Sequence, residues 1–183
     1  MKRLTTSLAA VALSLSLIAL PALARDITAA ESAALQTRVD AFSAAFASND
    51  MKAVSSVIPP KVVNAMAARF GMEPAQLIDA MSQAMEAAMQ NVTIDHYAMD
   101  VGAATSGETS SGRPYFLIPT QTNMTVDGTT KVEATSQTLA FADEDIWYLV
   151  RIDDAQQVAF LTEAYPEFKG IDFPAGTTKI LEN

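Results

Sequence analysis

The chain holds one histidine, in the stretch TIDHYAMD, Thr93 to Asp100, with an aspartate on either side. An imidazole near carboxylates is raw material for general acid–base catalysis. On a β-strand, however, successive side chains point to opposite faces. Straight alternation places Val92, Ile94, His96, Ala98 and Asp100 on one face, and Thr93, Asp95, Tyr97, Met99 and Val101 on the other. Asp100 then lies about 13 Å from His96 along the strand. A carboxylate partner for His96 has to come from another element. His96 is the catalytic candidate, and the competing reading is a half-buried or edge-strand residue without catalytic duty.

Other reaction chemistries have less to stand on. There is no Gly-x-Ser-x-Gly elbow and no cysteine thiolate. Neither a P-loop nor a Gly-x-Gly-x-x-Gly fingerprint occurs, so a nucleotide has no cradle and no cofactor is expected. Met81, Met85 and Met89 are spaced by four, which puts three thioethers on one helical stripe. Soft thioether ligands suit Cu(I). The same methionines share the apolar arc of Leu77 and Ile78, where core packing also predicts them. The acidic run Asp143, Glu144 and Asp145 lacks the spaced oxygen ligands of a calcium loop and reads as a solvated hairpin turn.

These residues need elements to hold them. Thr28 and Glu31 form a capping box, and Leu35, Val39, Phe42 and Phe46 follow on one helical stripe. Asn49-Asp50 ends that helix and caps a short one, Met51 to Val57. Pro60 opens a third helix that stops at Gly71. Pro74 opens a fourth, to about Gln90, with Leu77, Ile78, Met81, Ala84, Met85, Ala88 and Met89 on one arc and Asp79, Ser82, Gln83, Glu86 and Gln90 opposite.

Beyond Asn91 the period changes to two. Strands are expected at Val92 to Val101, from Phe116 to Val126, at Lys131 to Phe141 and over Ile146 to Ile152. A Gly/Ser/Thr-rich loop separates the first two. Asp127-Gly128 supplies the positive-φ positions of a type I′ hairpin. Asp153 or Asp154 caps a last helix that ends before Pro166, and the tail after it reads as irregular. The pattern predicts an α+β fold: N-terminal helices packed on a curved, cone-like four-stranded antiparallel sheet, plus a short C-terminal helix.

The first 24 residues read as a secretory signal. Lys2 and Arg3 precede the apolar run Leu8 to Leu20, and Ala22-Leu23-Ala24 offers a cleavage site after Ala24. Residues 25–183 then form a single α+β domain, periplasmic or secreted, with no membrane segment after cleavage. The absence of cysteine excludes disulfides and cysteine-type zinc. The formal charge of −9, more acidic still without Lys2 and Arg3, argues against nucleic acid and against anionic lipid surfaces.

The order of a long helix, shorter helices and antiparallel strands closing on "DEDIWYLVRIDD" resembles the nuclear transport factor 2-like, cystatin-like superfamily. Trp147, Tyr148, Leu149 and Val150 carry the late-strand signature. The segment from Pro114 to Asp154 also looks like exported bacterial proteins of unassigned function. The resemblance implies a cone whose open end holds a ligand. Enzymes of that fold, the ketosteroid isomerases and scytalone dehydratases, use pocket Asp, His and Tyr residues, which would allow His96, Tyr97 or Tyr115 to line a pocket.

The favoured reading is a non-enzymatic small-molecule-binding or accessory role, with an apolar ligand or a partner segment on the sheet. Tyr115, Phe116, Ile118, Met124, Phe141 and Trp147 are the candidate lining, with Leu139 and Leu149 also on the inward list. The alternatives are an isomerase- or dehydratase-like enzyme using His96, a Cu(I) site at Met81, Met85 and Met89, and a homodimeric protein-interaction module.

Overall fold

The computed structural model describes residues 26–48 and 50–181. The expected signal segment, residues 1–24, lies outside the described residues, as does Asn49. The helical half contains α1 (Ala29–Ala47), α2 (Met51–Ser55), α3 (Pro60–Phe70) and α4 (Pro74–Met89). Each begins and ends where local chemistry allows. The Thr28 hydroxyl accepts from the Glu31 amide, and the Glu31 carboxylate accepts from the Thr28 amide in return. The Asp50 carboxylate accepts from the Ala53 amide at the start of α2. Gly71 adopts φ +66° at the end of α3, a left-handed conformation that glycine takes without steric cost.

The stranded half forms one six-stranded antiparallel sheet, curled into a half-barrel. The path β1 (Val92–Met99), β3 (Pro114–Val126), β4 (Thr130–Asp143), β5 (Ile146–Arg151) comprises the four expected strands. Two short strands extend it: β2 (Thr105–Glu108) pairs with β3, and β6 (Thr177–Ile180) pairs with β4. Both fall in segments read from sequence as irregular. Neither carries an alternating apolar pattern, and each is held by the ladder of the strand beside it. Gly107 of β2 is required, because a Cβ there would run into the ring of Tyr115. Asp127 and Gly128 both have positive φ, the type I′ geometry expected of that turn. Helix α5 (Ala155–Ala164) follows β5, with the Asp154 carboxylate accepting from the Gln156 and Gln157 amides at its N-terminus.

The sheet is covered on both sides at one end. On one side, α1 and the α2–α3 turn lay Leu35, Val39 and Val57 on Phe116, Ile118, Ala140 and Leu149. On the other, α3, α5 and the turn at Pro166–Phe168 lay Val62, Phe160, Leu161, Tyr165 and Phe168 on Leu139, Phe141, Val150 and Ile152. Phe116, Ile118, Leu139 and Phe141 are fully buried, each contributing roughly 1.5–3 kcal/mol through removal of apolar surface from water. A third, smaller cluster of Val63, Ala67 and Leu77 joins α3 to α4.

The first strand departs from straight alternation. The β1–β3 register slips between Ile94 and His96, an extra residue that forms a β-bulge. Ile94 pairs with Met124, and Tyr97 with Thr122, so both face the α1 side of the sheet. The bulge thereby gathers Val92, Ile94, Tyr97 and Met99 on one side, where alternation had split them. His96, paired with Asn123, is turned to the α5 side. The strand also ends at Met99 and not at Val101. Val101 opens a 3-10 turn held by the Asp100 carboxylate and enters the α1-side core.

Candidate functional site

The sheet runs on past both helical layers. Its far end is a four-stranded blade made of β1, the second half of β3, the first half of β4, and β6. Residues paired directly across antiparallel strands share a face. The row Ile94, Met124, Val132, Ile180 therefore crosses all four strands on the α1 side. Val92 and Val126 flank it, and Ala134 lies on the row with Tyr97 and Thr122. Every one of these apolar residues is partly or well exposed, Ile180 by 73%. None of the apolar side chains from Ile94 to Ile180 in that row belongs to a buried core cluster. Beside the row, the Tyr97 ring lies 5.2 Å from Phe46 and 5.8 Å from Phe42, centroid to centroid, and this stack joins α1 to the blade. Burial in the stack pushes the Tyr97 hydroxyl well above the usual phenol range.

The opposite side of the blade is polar. His96, Asn123, Glu133 and Lys179 form one row, and Ala98, Gln121, Thr135 and Thr177 the next. Gln121 donates to Glu133 at 2.9 Å, and Thr125 donates to the Asp95 carboxylate at 2.6 Å. Two clefts lie along the blade. One, of about 280 Å³, is lined by Asp95, Asn123, Met124, Lys131, Val132 and Leu181. The other, of about 450 Å³, includes Asp100, Pro119, Gln121, Thr135, Gln137 and Pro174 in its lining. The Asn123 Oδ1 and Gln137 Oε1 atoms are buried without a hydrogen-bond partner. His96 is exposed, and its imidazole makes no hydrogen bond or ion pair. Asp95 engages Thr125 and not the imidazole.

The densest ionisable cluster lies elsewhere, at the β4–β5 turn. The Asp143 carboxylate accepts from Lys61 at 2.8 Å and from the Tyr165 hydroxyl at 2.9 Å, with Arg113 at 3.4 Å. Arg113 also donates to Glu167 at 3.0 Å and to the Ala142 carbonyl at 2.5 Å, and its guanidinium lies 5.6 Å from the Tyr165 ring centre. The Lys61 hydrogen bond, the Tyr165 hydroxyl and the nearby cations hold the Asp143 carboxyl below its ordinary range, against an opposing effect of burial. Burial, then the Asp143 charge, pushes the Tyr165 hydroxyl up. The turn is solvated at Glu144 and Asp145, as read from sequence, but the Asp143 side chain is 14% exposed and turned into the cluster. The two cations and two carboxylates of the cluster, Lys61, Arg113, Asp143 and Glu167, pair with one another and tie α3, β3, β4 and the end of α5 together. The "ADED" pattern alone could not announce it, since its partners come from positions 61, 113, 165 and 167.

The aromatic and aliphatic lining residues are dispersed. Phe116, Ile118, Trp147 and Leu149 face α1, whereas Tyr115, Leu139 and Phe141 face α5. They pack as core on opposite sides of the sheet and form no common wall. Tyr115 lies against Phe168 and Phe173, and burial raises its hydroxyl pKa. Of the six candidates, Met124 alone lines one of the clefts described above. Met81, Met85 and Met89 do share a stripe of α4: Met81 packs partly against the Val63, Ala67 and Leu77 cluster, Met89 is half-buried, and Met85 is 40% exposed. Among the described residues no group of three or more His, Cys, Asp or Glu is arranged to hold a metal ion, and no helix is long and apolar enough to cross a membrane. Comparison with protein-family models, curated proteins and solved structures finds no match to this chain.

Proposed function

We propose that this is an exported, non-enzymatic binding domain of nuclear transport factor 2-like kind, whose ligand or partner segment covers the apolar side of the blade. The observation that carries the reading is the row Ile94, Met124, Val132 and Ile180, apolar across four strands and left outside every core cluster. A contiguous exposed apolar patch of this kind marks a contact surface on a folded protein. The polar reverse of the same strands gives the blade one wet side and one dry side. Placement outside the cytoplasm rests on Lys2, Arg3, the run Leu8 to Leu20 and Ala22-Leu23-Ala24. Binding is favoured over acid–base catalysis because His96 faces solvent with no carboxylate in hydrogen-bond contact.

The uncharged fluorophore Nile red tests the reading. Saturable binding to the protein is expected, and Met124→Lys or Val132→Lys should weaken it at least about tenfold, the effect of losing about 1.4 kcal/mol. Non-saturable binding, or binding indifferent to both substitutions, rejects the blade as the site.

A further inference from the structure

We infer that α4 is an oxidant-responsive element: peroxide converts its methionines to sulfoxides, and the sulfoxide at Met81 loosens the helix from α3. Five of the nine methionines, Met66, Met72, Met81, Met85 and Met89, lie on α3, on α4 or in the turn between them. Their exposure is graded. Met72 is 43% exposed and Met85 40%, Met81 and Met89 are half-buried, and Met51 on α2 is only 5% exposed. The sulfur lone pair of an accessible thioether attacks a peroxide oxygen. The O–O bond breaks and the sulfur gains one oxygen. The displaced hydroxide takes up a proton and leaves as water, so the sulfur loses two electrons and the peroxide gains them.

What the added oxygen does depends on how α4 is held. Of its 16 residues only Leu77 is buried. Leu77 meets Val63 and Ala67 of α3, and Ile78, Met81 and Met66 pack around that cluster. Among the described residues no hydrogen bond or ion pair joins an α4 side chain to another element. The Gln76 side chain accepts only from the Glu73 amide that caps the same helix. The hold is therefore apolar. Oxidation turns a flexible apolar side chain into a polar one, and a polar group pressed onto apolar neighbours without a partner is costly. At Met85 the oxygen stands in water and costs little. At Met81 it meets the cluster, and α4 has no polar tie to keep it in place.

The test treats the protein with hydrogen peroxide and stops the reaction with catalase at increasing times. Peptide mapping by mass spectrometry gives the sulfoxide at each methionine, and amide hydrogen exchange gives the protection of α4. Met72 and Met85 should oxidise first, Met81 and Met89 next, and Met51 last. Exchange over residues 78–89 should keep its starting rate while only Met72 and Met85 carry oxygen. It should then rise at least about tenfold as Met81 is converted. Methionine sulfoxide reductase should restore the starting rate. Met81→Leu keeps an apolar side chain on the cluster, so peroxide should still oxidise Met85 in that variant and leave α4 protected. The inference is overturned if Met51 oxidises as fast as Met85, or if exchange stays unchanged once Met81 is converted. It also falls if α4 loosens before Met81 is touched, or if the Met81→Leu variant loosens as the wild type does.

Discussion

Two ionisable residues illustrate how position decides what a side chain does. Asp143 is enclosed by Lys61, Arg113 and Tyr165. The Lys61 bridge contributes little, since Lys61 is 54% exposed and water screens it. The larger consequence of Asp143→Ala is to strip the buried Tyr165 of its hydroxyl's acceptor, whereas Arg113 keeps Glu167 and the Ala142 carbonyl. We expect that variant to lose about 2–4 kcal/mol, measured by urea unfolding. The folded pKa of Asp143 lies below its unfolded value of about 3.9, so its contribution is whole above that pH and is lost as pH falls through the folded value. Acid titration of the wild type should therefore show a loss of stability below about pH 4 that the Asp143→Asn variant lacks. His96 is the opposite case. With an exposed ring and no partner, His96→Ala should change stability by less than about 0.5 kcal/mol in the same unfolding assay.

At the scale of elements, the bulge in β1 is the feature that most alters the reading of the surface. Alternation put His96 with Ile94 on one face; the extra residue sends it to the polar side and brings Tyr97 to α1. Nothing in TIDHYAMD declares a bulge, because it contains no glycine and its polar and apolar residues suit either register. By contrast, the helix ends and the Asp127-Gly128 hairpin were legible, since caps and positive-φ turns depend on residues within a few positions of each other. Strands β2 and β6 were hidden for the converse reason: their pairing is set by β3 and β4, not by their own sequence. The candidate lining shows the same limit, as alternation within one strand cannot tell which strand's odd residues meet another's even ones. Two substitutions follow. Deleting Asp95 should remove the bulge and leave Ile94, Tyr97 and Met99 in straight alternation on the α1 side, so the cooperative melt followed by near-ultraviolet circular dichroism should be kept. Tyr97→Ala leaves the register intact and removes only the ring between Phe42 and Phe46, for an expected loss of about 2–3 kcal/mol.

At the scale of the molecule, the sheet serves two purposes along its length. Near its covered end, β3, β4 and β5 lie between two helical layers and carry the fully buried residues Phe116, Ile118, Leu139 and Phe141. At the blade, the same long strands β3 and β4 are half-exposed on both sides and are flanked by β1 and the wholly exposed β6. Local opening free energy follows the number of buried apolar contacts an element must break. Amide hydrogen exchange should therefore grade along single strands. Residues 115–118 and 139–141 should exchange only by global unfolding, while 122–126, 131–134 and 177–180 exchange through a cheaper opening. A binding surface has reason to lie at the yielding end, because covering it adds the contacts the blade lacks without straining the core. Nile red should then slow exchange at 122–126 and 131–134, and leave 139–141 as it was. Uniform protection along β3 and β4 in the free protein would mean that the blade is already part of the cooperative core, and a ligand there would have no such gradient to act on.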